Sequence, residues 1–403
     1  MADIFVERLS GLSVGERMVE VVERKGLGHP DSICDAIMEE ISLALSREYM
    51  KQFGVILHHN IDKGLLVAGE VERKFGGGRI VEPMRLIVGD RATFKLNDIA
   101  IPVNDIVIVT AKQWLRDNLR FINPDEHVKY QVELRPASAE LQDIFNRGNG
   151  VFVANDTSAA VGYAPFTDTE SVVLETEMYL NSKGFKEQFP ETGEDIKVMG
   201  YRHGRKLMLT IAIPFLDRYI ANEYTYFDKK STVSRTINDF VLTKCSNFDK
   251  VDIFVNTLDK EGRGLGGMYL SVLGTSAEDA DSGEVGRGNR VNGIIALNRP
   301  SAAEAAAGKN AVSHVGKIYN ILTHRMAHTI YESVDGIKEI YVWLASQIGS
   351  PVSEPVLASA QVLLEHRASV SSTSKKIKEI IERELSEIDG FCKELLQGKY
   401  PVC

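Results

Sequence analysis

An α+β fold is predicted, and three observations predict it. Stretches with apolar residues at helical spacing alternate with short β-forming runs bounded by glycine turns. The β-forming runs come in antiparallel-looking pairs with helices between pairs, not in the regular βαβ alternation that builds a doubly wound sheet. Length is the third: 403 residues, at about 150 per domain, leave room for two to three units. Three units of strand pair plus helix fit a chain of this size.

In chain order, the first helix is expected over 31–53, with Ile33, Ile37, Ile41 and Leu45 on one face and Pro30 near its start. Strands over 64–71 and 79–88 flank the turn at Gly76, Gly77 and Gly78. A helix over 105–119 and a strand over 128–134 follow. The next unit is a helix over 167–182, then a hairpin, 196–201 and 206–213, around His203 and Gly204. A helix over 231–243 leads to strands over 251–255 and 268–273. The last third is read as a helix from Ala302 to about Glu332, a strand over 339–345 and an amphipathic helix over 374–396. No low-complexity tract or solenoid repeat interrupts this order.

Composition excludes several classes. With 44% hydrophobic, 26% charged and 8% aromatic residues, the chain has apolar surface enough to fold, so disorder is not its dominant state. No run of eighteen apolar residues occurs, so no membrane span is expected. The first residues place acids where a signal peptide needs basic and then apolar ones, which points to a cytoplasmic protein. Lys plus Arg is 47 against 56 for Asp plus Glu, a net charge of -9. That balance disfavours nucleic acid, whose backbone needs a basic footprint. A small polyanionic substrate remains open, because a local group of cations or a metal decides its binding. Cys34, Cys245, Cys392 and Cys403 are far apart, so free thiols are expected and cysteine-held zinc is not.

Several motifs are decoys. Gly262, Gly264 and Gly267 spell G-x-G-x-x-G after a strand, with Asp281 or Glu284 about twenty residues on. The dinucleotide fingerprint needs a helix to start at the glycines, and β-forming residues 268–273 follow instead. An NAD-dependent oxidoreductase is therefore disfavoured. Gly308-Lys309 is followed by Asn310, and Ala303 stands where a P-loop has its first glycine. His324 and His328 have zinc-ligand spacing but lack the adjoining Glu, and read as two unrelated histidines. The sequon at Asn155 carries nothing without secretion.

Three segments carry chemistry. Residues 23–32, Glu-Arg-Lys-Gly-Leu-Gly-His-Pro-Asp-Ser, form a glycine-flanked turn running into a helix N-terminus. Orphan amides and the positive end of the helix dipole favour an anion there. His29 can donate to a phosphate and Asp31 can hold a phosphate-bridging magnesium ion. The plainer reading is that Asp31 or Ser32 only caps the helix. Residues 274–293 gather acids and glycines with Arg287 and Arg290, which suits a ligand of both charge signs, or else a flexible surface loop. Residues 308–317 add Lys309, His314 and Lys317 before or inside a helix. Together they describe a site for a magnesium-bound polyphosphate and a zwitterion.

Gly28-His29-Pro30-Asp31-Ser32 after Glu23-Arg24-Lys25-Gly26 resembles the S-adenosylmethionine synthetase (methionine adenosyltransferase) family, in its archaeal-type branch. The likeness continues through 59–64, 155–158, 195–201, 281–292 and 308–310, in the family's order. It implies three similar α+β subdomains in a pseudo-threefold arrangement, each a small mixed or antiparallel sheet with helices on one face. They are interleaved within one catalytic unit, 1–403, with approximate segments 1–135, 136–250 and 251–403. It also implies a homodimer with active sites at the subunit interface, ATP and L-methionine as substrates, and Mg2+ as cofactor. A monovalent cation such as K+ belongs to other branches, and its site has no clear counterpart here.

The implied reaction is attack of methionine sulfur on C5′ of ATP, followed by hydrolysis of the departing tripolyphosphate to phosphate and pyrophosphate. By motif position, His29 contacts the leaving group, Asp31 holds magnesium, and Lys197, Arg287 and Lys309 hold phosphate. Glu23 lies near the nucleotide, Glu70 near the methionine ammonium, Asp281 at the methionine, and Asp143 where relatives carry a glutamine. Three departures stand out: Ser32 and Gly288 replace lysines of other branches, and Ser158 replaces an aspartate. Lys63, Arg290, His314 and Lys317 are the available substitutes for the lost cations. A catalytically inactive nucleotide-binding regulator of the same fold is the alternative, and the retained cations speak against it.

Overall fold

The computed structural model describes residues 3–136, 152–366 and 368–403. It is an α+β protein built on three main sheets. In the first sheet, Val128–Pro136 runs parallel to Met84–Ala92, which is antiparallel to His59–Val67, which is antiparallel to Gly283–Glu284. In the second, Lys250–Val255 is parallel to Lys206–Ala212, followed antiparallel by Lys197–His203, Val19–Lys25 and Ile295–Ala296. In the third, Ile4–Arg8 is parallel to Leu357–Leu364, followed antiparallel by Ile337–Ala345 and Ala159–Ala164. All three therefore share one plan: a parallel edge pair, a hairpin, and a further antiparallel strand, with the second sheet adding one more at its far edge.

Helices cover these sheets. Pro30–Phe53 and Val103–Asn118 pack on the first, Asp168–Leu180 and Glu223–Lys244 on the second, and Val315–Ser333 and Val370–Ser386 on the third. Ile33, Ile37, Ile41 and Leu45 are fully buried against the first sheet, each contributing about 1.5–3 kcal/mol. Gly54 ends that helix in the left-handed conformation, φ 70°, donating to Met50 O. Thr167 starts the Asp168–Leu180 helix with a capping box closed by Glu170. Each sheet-and-helix layer has its own buried apolar cluster.

At two of the long helices, the preceding strand belongs to a different sheet from the one the helix covers. Val19–Lys25 lies in the second sheet, yet the Pro30–Phe53 helix it leads into covers the first. Ala159–Ala164 lies in the third, and the following Asp168–Leu180 helix covers the second. Residues 26–29 thus cross from one layer to another. That crossing positions the site.

Several boundaries differ from the sequence reading. The helix expected from Ala302 begins at Val315. Gly308, at φ 75°, packs where a Cβ would meet Ile61 O at 2.3 Å, and Asn310 Nδ2 donates to Leu57 O. Tertiary contacts there override the helix propensity of the alanines. The strand expected over 268–273 shrinks to Leu270–Ser271, because the amides of Val272 and Leu273 donate to the Glu278 carboxylate. The 231–243 helix starts earlier, at Glu223, capped by Asn222. The C-terminal helix is two, Val370–Ser386 and Ile388–Leu396. After Gly267 comes a strand and no long helix, as a non-dinucleotide loop requires. The four cysteines are free thiols, and no helix among the described residues is long and apolar enough to cross a membrane.

Candidate active site

The crossing segment is held tightly. Gly26 N donates to Ile196 O at 2.6 Å and Gly28 N to Glu194 O at 3.0 Å. A Cβ on Gly28 would meet Asp195 N at 2.5 Å, so only glycine passes there. His29 then caps the Pro30–Phe53 helix, its Nδ1 accepting from Asp31 N at 3.2 Å. The cap is thus His29, not Asp31 or Ser32. Burial lowers the His29 pKa to about 4, with Asp31 opposing and Lys25 and Lys197 reinforcing the shift. His29 is therefore a neutral ring at pH 7 with its proton on Nε2, a donor at a helix N-terminus.

Asp31, freed from capping, holds two groups. Its Oδ1 accepts from Glu284 N at 2.9 Å and its Oδ2 from Lys25 Nζ at 2.8 Å. Lys197 pairs across the sheet with Lys25, and its ammonium meets Glu23 Oε1 at 3.1 Å. Asp281 acts electrostatically on both His29 and Asp195. Asp195 is buried with a pKa raised to about 6 by desolvation, against hydrogen bonds from Ser276. The side chains of Asp281 and Arg287 are exposed and form no hydrogen bond or ion pair among the described residues. Glu70 begins a short hairpin next to this loop: Gly69 N donates to Ala277 O, and Ala68 N to Ser282 Oγ. One region therefore gathers Glu23, His29, Asp31, Lys197, Asp281 and Arg287, with Glu70 on its flank.

A second group lies further along the same helix. Lys309 is 2% exposed, its Nζ 3.1 Å from Asp62 Oδ2 and also bonded to Glu304. Lys63 Nζ reaches Asp62 Oδ1 at 2.6 Å. Lys317, fully buried, is bonded to both oxygens of Glu39 at 2.9 and 2.6 Å. His314 caps the Val315–Ser333 helix, and burial, then Lys309, pushes its pKa down to about 3. Ser158 N donates to Ser346 Oγ and Ser346 N to Ser158 O, and the segment is tied to this group by Asn155 N donating to Ser313 O at 3.0 Å. Glu39 stands eight residues after Asp31, so the two groups are about 12 Å apart along the helix. Asp143 lies outside the described residues.

Of the four substitutes for the missing lysines, Lys317 is consumed by Glu39 and His314 is neutral. Arg290 donates to Gly286 O, and Lys63 alone is largely open to solvent. Sequence reasoning assigned no role to Lys25, Asp35, Glu39 or Asp62. Asp31, Asp35 and Glu39 recur every four residues beside the apolar Ile33–Ile37–Ile41 stripe, a pattern visible in the sequence. Lys25, two residues from Glu23, shares its strand face.

Among the described residues no three His, Cys, Asp or Glu side chains gather into a metal cage. Magnesium is commonly held by one or two carboxylates plus substrate phosphates, and Asp31 at the helix N-terminus is a carboxylate of that kind. Neutral donor, ammonium, guanidinium and free carboxylates together can take a polyphosphate and an amino acid.

The family model for S-adenosylmethionine synthetase (AdoMet synthetase) matches residues 2–399. An S-adenosylmethionine synthase of Pyrococcus furiosus is 44% identical over 402 residues, with 99% of each chain covered. One of Hyperthermus butylicus is 43% identical over 408 residues, again with 99% of each covered. Among solved structures, that titled an unusual S-adenosylmethionine synthetase from Campylobacter jejuni is similar in fold. Its TM-score is 0.58 at 15% identity, over 92% of this chain and 89% of that one. The match over nearly the whole length assigns S-adenosylmethionine synthesis, a transferase function, and the chain belongs to the S-adenosylmethionine synthetase family.

Proposed function

We propose that the chain catalyses attack of methionine sulfur on C5′ of ATP and then hydrolyses the departing tripolyphosphate with water to phosphate and pyrophosphate. A sulfur lone pair forms the S–C5′ bond as the C5′–O5′ bond breaks, and that electron pair leaves on the tripolyphosphate oxygen. No side-chain nucleophile takes part. What the protein must supply is fixed positive charge where the oxygen develops negative charge. The observation that supports this reading is the convergence of Lys197, Arg287 and neutral His29 at the N-terminus of the Pro30–Phe53 helix.

In this reading His29 donates to the leaving group, while Lys197 and Arg287 meet its charge. Lys309 holds phosphate once released from Asp62 and Glu304. Asp281 and Glu70 receive the methionine ammonium, Glu23 lies near the nucleotide, and Asp143 and Ser158 complete the substrate contacts. Asp31 would hold Mg2+, which when bound would neutralise phosphate charge as a Lewis acid. A K+ requirement has no assigned residue.

We further propose a cytoplasmic homodimer with active sites between subunits and residues 1–403 as one catalytic unit. The outer face of the second sheet supports it: Val19, Tyr201, Met208 and Phe254 are about two-fifths exposed, an apolar face suited to a second copy. No nucleic-acid or membrane partner is proposed. The test is incubation with ATP, methionine and magnesium, with light scattering alongside. Adenosylmethionine, phosphate and pyrophosphate formed by a dimer support the reading. ATP binding without turnover would instead make the chain a nucleotide-binding regulator, and a fully active monomer would refute the shared site.

A further inference from the structure

The loop that carries Arg287 is gripped from three sides by groups to which the reaction gives no other role. Asp35 is 2% exposed and spends both carboxylate oxygens on it. Oδ1 accepts from Gly286 N at 2.7 Å and Oδ2 from Gly288 N at 3.1 Å. The residue between those two amides is Arg287, and its carbonyl accepts from Lys25 Nζ at 2.6 Å. One position upstream of this bracket, Val285 N donates to Gly64 O. Three of the peptide groups between Glu284 and Gly288 are thus fixed while the Arg287 side chain itself stays exposed.

The closeness of fit is visible at Gly288. A Cβ there would meet Asp35 Oδ2 at 2.2 Å, so the carboxylate reaches the amide only because position 288 has no side chain. Holding a buried carboxylate in this way has a cost: desolvation raises the Asp35 pKa to about 7 despite the two amide bonds. An amide or alkyl group would fill the space without that cost, but neither offers two acceptors to two amides.

The geometry points to Asp35, assisted by Lys25, as the positioning residue that aims Arg287 at the leaving polyphosphate. This rests on the reading of Arg287 as a leaving-group cation. Asp35→Asn keeps the shape but turns a donor toward one of the two amides, so the loop loses one anchor. Mispositioning of about 1 Å can cost about 100-fold in rate.

The test is a double-mutant cycle on the full chain with Arg287→Leu, reading single-turnover adenosylmethionine formation, hydrolysis of added tripolyphosphate, the methionine KM and thermal melting. Asp35→Asn is expected to slow both chemical readouts about 100-fold, with the methionine KM unchanged. In the Arg287→Leu background the same change adds almost nothing. Should Asp35→Asn not fold, Gly288→Ala, which pushes the carboxylate away with Asp35 intact, is expected to behave the same way. If Asp35→Asn, or Gly288→Ala in its place, cost the same factor with Arg287 absent as with it present, or cost nothing, the positioning role is overturned. If Arg287→Leu alone kept the normal rate, the leaving-group reading would fail, and this role with it.

Discussion

The two groups of charged residues along the Pro30–Phe53 helix are built from the same residue types but finished differently. Around Lys309, every cation but the solvent-facing Lys63 is buried and consumed: Lys309 by Asp62 and Glu304, Lys317 by Glu39. Around His29, Lys25 is spent on Asp31, but the outward-facing charges are left largely unspent. The side chains of Arg287 and Asp281 have no hydrogen-bond or ion-pair partner among the described residues, and Lys197, its side chain 41% exposed, has only Glu23. A buried charge must be paired or pay several kcal/mol of desolvation. In the proposed reading the outer group is poised to receive a ligand, while the inner group chiefly holds the fold, and Lys309 turns to phosphate only when a ligand displaces Asp62 and Glu304. Substitutions should separate them: loss of rate without loss of stability in one, and loss of stability in the other.

The largest effect is expected at Lys197. Lys197→Met should lower turnover by roughly 100-fold or more, the scale of losing one preorganised donor, with the melting temperature within about 2 °C of wild type. A comparable loss of stability would erase the contrast. Next is Lys309→Met, which leaves Glu304 without its cation and Asp62 with Lys63 alone. Removing one partner of a buried pair costs about 3–5 kcal/mol, and the low end applies because Glu304 is 36% exposed. Urea denaturation measures this, and unchanged stability would place Lys309 with the outer group.

Asp281→Asn sharpens the picture within the outer group. A charge-assisted hydrogen bond to the substrate ammonium is worth about 1.5–3 kcal/mol, so the methionine KM should rise about tenfold to 100-fold while ATP binding is held. Equal losses for both substrates would remove Asp281 from the methionine end.

The last effect is a pH dependence from the inner group, expressed only in acid. The folded pKa of His314 is about 3 against an ordinary 6.5, so the unfolded chain takes up the proton first. Its contribution is complete above pH 6.5 and is lost as the pH falls toward 3. His314→Gln should flatten the decline of stability between pH 6.5 and 4, measured by denaturation at stepped pH. An unchanged slope would mean that this ring is already charged in the folded protein.

The fold class was legible because helical spacing such as Ile33, Ile37, Ile41 and Leu45 is a local signal. Strands Ile4–Arg8 and Leu357–Leu364 were missed because their pairing, Ile4 opposite Ala358, spans almost the whole chain. Nothing local marks such an edge. The same limit applies to the site. The motif residues could be named in order, and the helix N-terminus at Pro30 was readable from the proline. Which cations are spent was not, because Glu39 meets Lys317 278 residues away. The cap by His29 was also hidden, since histidine is an uncommon cap and Asp31 an obvious one.

Rapid-quench single-turnover kinetics on Arg287→Leu, with ATP affinity measured in parallel, tests the division between the two groups most directly. Because the leaving oxygen gains charge only as the bond breaks, a cation waiting for it stabilises the transition state beyond the ground state. Adenosylmethionine formation should slow by roughly 100- to 1000-fold, with hydrolysis of added tripolyphosphate slowed too and ATP binding changed far less. A near-normal chemical rate with weakened ATP binding would contradict the account: Arg287 would then be a uniform phosphate binder, and the outer group would not be poised for the departing chain.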